Sequence, residues 1–215
     1  MTFRGFPEEA LLFYEGLCAD NTKAYWTDHK SVYDTCVKAP FEQLLAQLEP
    51  EFGAAKLFRP YRDVRFAKDK TPYKEHAGAV AHDNDGSTGL YVQLSKDGLY
   101  VAGGSWHLAT DQAQRLRAAV ADDATGPRLV AVLTKLEEQG WGVGGDRLVR
   151  VPKPYDKDHP RAELLKAKSL AANRPFEPAE WLHEPECYQR VAAAWRQLGQ
   201  LNDWLARHVG PSRAA

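Results

Sequence analysis

Cysteine is scarce in this chain of 215 residues, with only Cys18, Cys36 and Cys187. An odd number with neither metal-ligand nor redox spacing argues against a disulfide framework, and three free thiols in a reducing cytosol are expected. Long apolar runs are missing as well. Nothing approaches the roughly 18 residues that cross a bilayer, so no membrane association is expected. The opening Met-Thr-Phe-Arg-Gly-Phe-Pro-Glu-Glu carries acids where a secretory signal needs an apolar core, which points to a cytoplasmic protein. No pair of the seven histidines falls at i, i+4 on an expected helix, so no metal is expected. There is no Gly-x-Ser-x-Gly and no nucleophile beside an obvious base.

Two further motifs fail on context. Gly140, Gly142 and Gly145 satisfy G-x-G-x-x-G, but a helix precedes them and a strand follows, the reverse of a dinucleotide site. Asp83-Asn84-Asp85-Gly86 resembles the start of a calcium loop, yet Leu94 stands where the bidentate Glu is required. No cofactor is therefore expected.

What is present is an ordinary soluble composition, 44% hydrophobic and 27% charged, long enough to bury a sizeable core. The net charge is −1 but unevenly placed: −4 over residues 1–58, +3 over 59–76, −2 over 77–150 and +2 over 151–215. The near-neutral total argues against a general nucleic-acid coat. A basic island within an acidic body still focuses anionic ligands.

That island, Arg59 to His76, sets six cations (Arg59, Arg62, Arg65, Lys68, Lys70 and Lys74) among Asp63, Asp69 and Glu75, with Tyr61 and Tyr73 beside them. Guanidinium forks suit phosphate or carboxylate, and lysine adds a mobile point charge. Arg59, Arg62, Arg65, Lys68, Lys70, Tyr73 and Lys74 are the candidate ligand-binding residues. The bland alternative is an exposed strand whose cations pair with its own acids. Asp63 is a candidate catalytic group, though cations around it hold it ionised and fit an organising role better. Asp158 and His159 are a second candidate acid–base pair, with a loop histidine capping the next helix as the bland reading.

Periodicity places helices over 7–18, from about Thr22 to Lys38, from Pro40 to a stop at Pro50, from a cap at Thr110 to about Ala121, from Pro127 to near Gln139, over Ala162–Lys168 and from about Pro185 to His208. Strands are expected from Tyr61 through Phe66, over 88–103 as a hairpin turning at Asp97-Gly98, and over Arg147–Val151. Lys68 to Lys74 reads as a loop. Trp26, Trp195 and Trp204 lie on helical stripes and read as core. No repeat or linker divides the chain, so residues 1–215 read as one domain. The class is α+β, a largely antiparallel sheet with N-terminal and C-terminal helices packed on it.

Several of these stretches carry a resemblance: Arg62-Asp-Val-Arg-Phe-x-x-Asp-Lys-Thr-Pro-Tyr-Lys74, Asn21-x4-Trp26-x3-Lys30-x2-Tyr33, Gly103-Gly104 before a helix, and Val151-Pro-Lys-Pro-Tyr155 leading to Asp158-His159-Pro160. Together they resemble a bacterial and fungal family known only as a domain of unknown function. The resemblance implies no activity. The residues themselves leave two readings open. One is a binder of a phosphorylated or anionic small ligand, with or without catalysis. The other is a non-catalytic module for nucleic acid or an acidic protein partner, using Tyr61, Tyr73, Tyr91 and Tyr100 for stacking.

Overall fold

The structure is a computed structural model that describes residues 2–65, 68–83 and 86–213. Its class is α+β. The helices are α1 (Glu8–Ala19), α2 (Lys23–Val32), α3 (Ala39–Phe52), α4 (Thr110–Ala121), α5 (Gly126–Glu138), α6 (Ala162–Leu165) and α7 (Glu186–His208). The strands are β1 (Ala55–Leu57), β2 (His76–His82), β3 (Gly89–Ser95), β4 (Gly98–Ser105), β5 (Gly142–Gly144) and β6 (Leu170–Phe176). They form a six-stranded antiparallel sheet in the order β1-β2-β3-β4-β6-β5. Two compact units interleave along the chain: residues 1–81, 91–101 and 175–193 in the first, and 82–90, 102–174 and 194–215 in the second.

In the first unit, Pro7 precedes α1 and Glu8 and Glu9 occupy its first turn, where carboxylates meet the positive end of the helix dipole. The Thr22 hydroxyl accepts from Tyr25 N at 3.2 Å and starts α2. The helix expected to run on to Lys38 instead widens into a π-helical turn over Tyr33–Lys38, and α3 follows without a break. Pro40 is the physical reason: it offers no N–H to the Cys36 carbonyl and its ring crowds that carbonyl. Pro50 does not close α3 but lies within its last turn. The stop comes at Gly53, with φ +81°.

Strand β1 pairs with β2, Lys56 opposite Val80. Both were missed. β2 reads His-Ala-Gly-Ala-Val-Ala-His, and small residues give little strand signal. The structure explains one of them, since a Cβ on Gly78 would lie 2.4 Å from the Tyr91 hydroxyl. The hairpin forms, but its turn residues are Lys96-Asp97, one earlier than expected, because Gly98 (φ +94°) already belongs to β4. Val92, Leu94, Leu99 and Val101 are buried on one face of the hairpin, while Leu90 is half-buried and Ala102 is buried as well.

In the second unit Thr110 is the first residue of α4 rather than its cap. The preceding Ala109 N–H is satisfied by Gln112 Oε1 at 3.0 Å. The other end of α4 is closed by Arg161, whose guanidinium donates to Val120 O (2.6 Å), Ala121 O (2.9 Å) and Asp123 Oδ1 (2.6 Å). β5 lies inside the glycine-rich stretch and pairs with β6, Val143 opposite Ala172. The expected strand Arg147–Val151 is absent. Arg147 makes a single bridge to Ala167, and Val149 stands 92% exposed with no ladder to join. α7 buries Val191, Trp195, Leu198, Leu201, Trp204 and Leu205 along one stripe, with Tyr188 at its start half-buried.

Candidate functional site

The strand expected from Tyr61 reduces to one antiparallel bridge, Tyr61 with Tyr73. Arg62 N donates to Pro72 O (2.9 Å) and Lys74 N to Pro60 O (2.8 Å), so the two ends of the basic loop are tied at its base. Above the tie the charges find partners within the loop rather than a neighbouring strand. The Asp69 carboxylate accepts from Thr71 N and Thr71 Oγ1, both at 2.9 Å, and from Arg62 Nη1 at 2.5 Å. Arg62 also donates to the Thr71 hydroxyl. Arg65 forks onto Asp63, Nε to Oδ1 at 2.9 Å and Nη2 to Oδ2 at 2.7 Å. Lys70 Nζ donates to Val64 O at 2.9 Å. Phe66, where that strand was expected to end, lies outside the described residues.

Part of the bland reading therefore holds, since Arg62 and Arg65 pair with acids of the same segment. The third acid, Glu75, accepts a long bond (3.4 Å) from Asn21 Nδ2. Among the described residues Arg59, Lys68, Lys70 and Lys74 enter no ion pair. Lys74 Nζ sits 5.2 Å from the centre of the Phe58 ring. Burial, and then the charge of Arg59, lowers its pKa.

The Arg65 fork holds Asp63 below the usual carboxylate range, which keeps it ionised at neutral pH. Asp69 is pulled to about 2, first by the Thr71 amide and hydroxyl and then by Arg62. A carboxylate whose folded pKa lies below its unfolded value of about 4 stabilises the fold above that value and loses the effect as pH falls toward the folded pKa. Asp69→Asn should therefore lower the melting temperature at pH 7, with the difference from the parent closing between about pH 4 and pH 2. A difference that stays constant over that range would mean that shape, not charge, is what Asp69 contributes.

The island meets the Asn21–Tyr33 segment through one side-chain amide. Asn21 Oδ1 accepts from Tyr73 N (3.1 Å) and Asn21 Nδ2 donates to Tyr73 O (3.0 Å), the reciprocal pair a neighbouring strand would make. Tyr73 is thereby laid flat on Trp26, ring centroids 4.3 Å apart and planes within 8°. Tyr33 (4.8 Å), Phe13 (5.8 Å) and Tyr61 (6.0 Å) also lie around Trp26. Burial, reinforced by Asp34, pushes the Tyr33 phenol up to about 12, so it stays protonated.

Beside this cluster opens a cavity of about 350 Å³. Trp26, Tyr33, Leu57, Phe58, Pro60 and Tyr61 give it an apolar wall, and Lys30, Lys38, Arg59, Asp34 and Glu42 a charged one. Lys30 pairs with Asp34, and Lys38 lies 3.8 Å from Glu42. Arg59 is the lining cation without a carboxylate among the described residues. A larger surface cavity of about 550 Å³, lined by residues including Leu11, Cys18 and Lys96, has no aromatic wall, and its one cation is bonded to Asp97.

Of the expected site residues, Tyr73 thus joins the aromatic cluster, Arg59 lines the cavity beside it and Lys74 lies over the Phe58 ring. Arg62 and Arg65 are held in the loop, and Lys68 is exposed. Sequence reasoning missed Asn21, Tyr33, Phe58 and Lys30 as contributors and placed Trp26 in the core alone. A signal existed, because Trp26, Lys30 and Tyr33 at i, i+4 and i+7 fall on one helix face.

Asp158 and His159 lie in the second unit. They are not bonded to each other as an acid–base pair. His159 Nδ1 accepts from Arg161 N at 3.0 Å and its carbonyl from Ala162 N at 2.9 Å, so it holds the turn before α6, whose N-cap is Arg161, while Asp158 faces Lys157 at 3.8 Å. Among the described residues no cluster of His, Cys, Asp or Glu is arranged to hold a metal, and no helix is long and apolar enough to cross a membrane. The three cysteines are free, and burial raises the thiol pKa of Cys18 and pushes that of Cys187 up to about 12.

An Asn-clamped tyrosine stacked on a helix tryptophan beside a tied basic loop thus joins two of the stretches on which the family resemblance rests. Residues 9–204 match the family described as conserved hypothetical protein, DUF2461, and the chain belongs to that family. Neither a search of curated proteins nor one of solved structures gives a match.

Proposed function

We propose that the protein binds a phosphorylated or otherwise anionic small ligand at the base of the basic loop, with Arg59 and Lys74 as the principal cations. The observation that carries this reading is the uneven pairing of charge. Asp63 and Asp69 are bound by Arg65 and Arg62, whereas Arg59, which lines a half-aromatic cavity, and Lys74, over the Phe58 ring of that cavity's wall, enter no ion pair among the described residues. Cations held near each other without counter-charge repel, and an anion that enters relieves the repulsion. Asp63, held ionised by Arg65, serves as an organiser of the loop rather than as an acid. The cavity is of small-molecule size, whereas a nucleic-acid module needs an open, basic groove.

Millimolar phosphate or sulfate should raise the melting temperature, because a ligand that binds only the folded state stabilises it. Arg59→Ala/Lys74→Ala should melt without that rise. A double variant that responds like the parent would place the anion elsewhere.

A further inference from the structure

We infer that the ligand of this cavity is an aromatic phosphate of the nucleoside-monophosphate type, its flat ring against Tyr61 and its phosphate on Arg59. The inference rests on the anion-binding reading above and adds the chemistry of the rest of the ligand.

The two walls make unequal demands. The apolar wall, from Trp26 and Tyr33 to Phe58 and Tyr61, is mostly ring surface with only two phenol hydroxyls and one indole N–H, and desolvating a bare anion or a sugar against ring faces is costly. A planar ring meets that wall at no such cost, because every aromatic base has a π-face. Tyr61 is suited to receive it. Its backbone is fixed by the bridge to Tyr73, yet its side of the cluster remains 49% exposed, unlike Trp26 at 5% and Tyr73 at 5%. Tyr61 inclines 52° to Trp26 and 46° to Tyr73, so it stands apart from their stack rather than continuing it. Arg59, two residues away along the same short segment, is the one lining cation in no ion pair among the described residues, and Pro60 stiffens the chain between them. An aromatic face and a free guanidinium two residues apart match a ring and a phosphate carried on one small molecule. The charged wall of Lys30, Lys38, Asp34 and Glu42 presents donors and acceptors to the polar link between ring and phosphate.

The test compares adenosine monophosphate, ribose 5-phosphate and inorganic phosphate by calorimetry on the full chain and on two variants, Tyr61→Leu and Arg59→Gln. The expected result is adenosine monophosphate binding about tenfold tighter than ribose 5-phosphate, the gain lost in Tyr61→Leu, and all three ligands weakened in Arg59→Gln. Equal affinity for the two organic phosphates, or a ratio unchanged in Tyr61→Leu, overturns the aromatic inference while leaving the anion reading in place. No binding of any of the three, inorganic phosphate included, overturns both.

Discussion

Alanine at Gly104 is expected to cost about 4 kcal/mol of stability, among the largest effects of any single methyl in this chain. Two separate penalties meet there. The backbone sits at φ +131°, a conformation that L side chains rarely adopt. A Cβ would also lie 2.4 Å from the Leu170 carbonyl oxygen and 2.6 Å from Ala171 Cα, atoms of strand β6. Both are backbone, so no rotamer change makes room. Either β6 moves away from β4 or Gly104 leaves its conformation, and each outcome breaks buried strand pairing. Gly144→Ala is the matched control: nothing lies within 4 Å of its added Cβ, and its change should stay within about 1 kcal/mol. Urea midpoints for the two variants decide the matter. A Gly104→Ala protein as stable as the Gly144→Ala one would mean the strands do not approach as closely as described.

Gly104 also shows how much of the fold was legible in the sequence and where legibility stopped. Gly103-Gly104 was marked on resemblance, but nothing in the sequence says which partner approaches it, because β6 itself was unread. Leu170-Ala-Ala-Asn-Arg-Pro-Phe has neither a two-residue alternation nor β-branched residues, and β2 is built of alanines. Such strands are chosen for what fits against them, as the Tyr91 hydroxyl over Gly78 shows, and that choice depends on long-range contacts. The helices were legible because their periods and stop signals are local: α1, α4, α5 and α7 lie within a residue or two of their expected limits. The π turn was not, since Pro40 acts on a carbonyl four residues back and leaves no periodic mark.

The basic island divides the same way. Its charge density was plain, and so was the choice between an anion site and self-paired acids. Which cation pairs with which acid depends on the loop's fold, and that turns on Asp69 capping Thr71 and on the Tyr61–Tyr73 tie. The sequence treated six cations alike, whereas the folded loop holds Arg62 and Arg65 on carboxylates and leaves Arg59, Lys68, Lys70 and Lys74 in no ion pair among the described residues.

Trp26→Ala should produce the second large effect, a loss of about 4 kcal/mol together with the anion response. Trp26 is 5% exposed, lies parallel to Tyr73 at 4.3 Å, meets Phe13 edge-on at 5.8 Å and packs against Tyr33 at 4.8 Å. Its removal leaves a cavity among rings that cannot close without unstacking, the circumstance in which large-to-small changes cost most. The loss reaches the loop because Tyr73 is held from two directions: Trp26 supports its ring and Asn21 its backbone. Asn21→Ala removes only the second hold and leaves the Tyr73 N–H and carbonyl short of partners, at a cost of about 2 kcal/mol. If both act through the seating of Tyr73, their effects are not additive, and the double variant should be more stable than the sum of the two losses implies. Tyr73 precedes Lys74, so unseating it also displaces that cation. Each single variant should then lose part of the phosphate-induced rise in melting temperature while remaining folded at 15 °C. Additive losses, with the phosphate response intact in Asn21→Ala, would show that the clamp and the stack stabilise the fold separately and that neither positions Lys74.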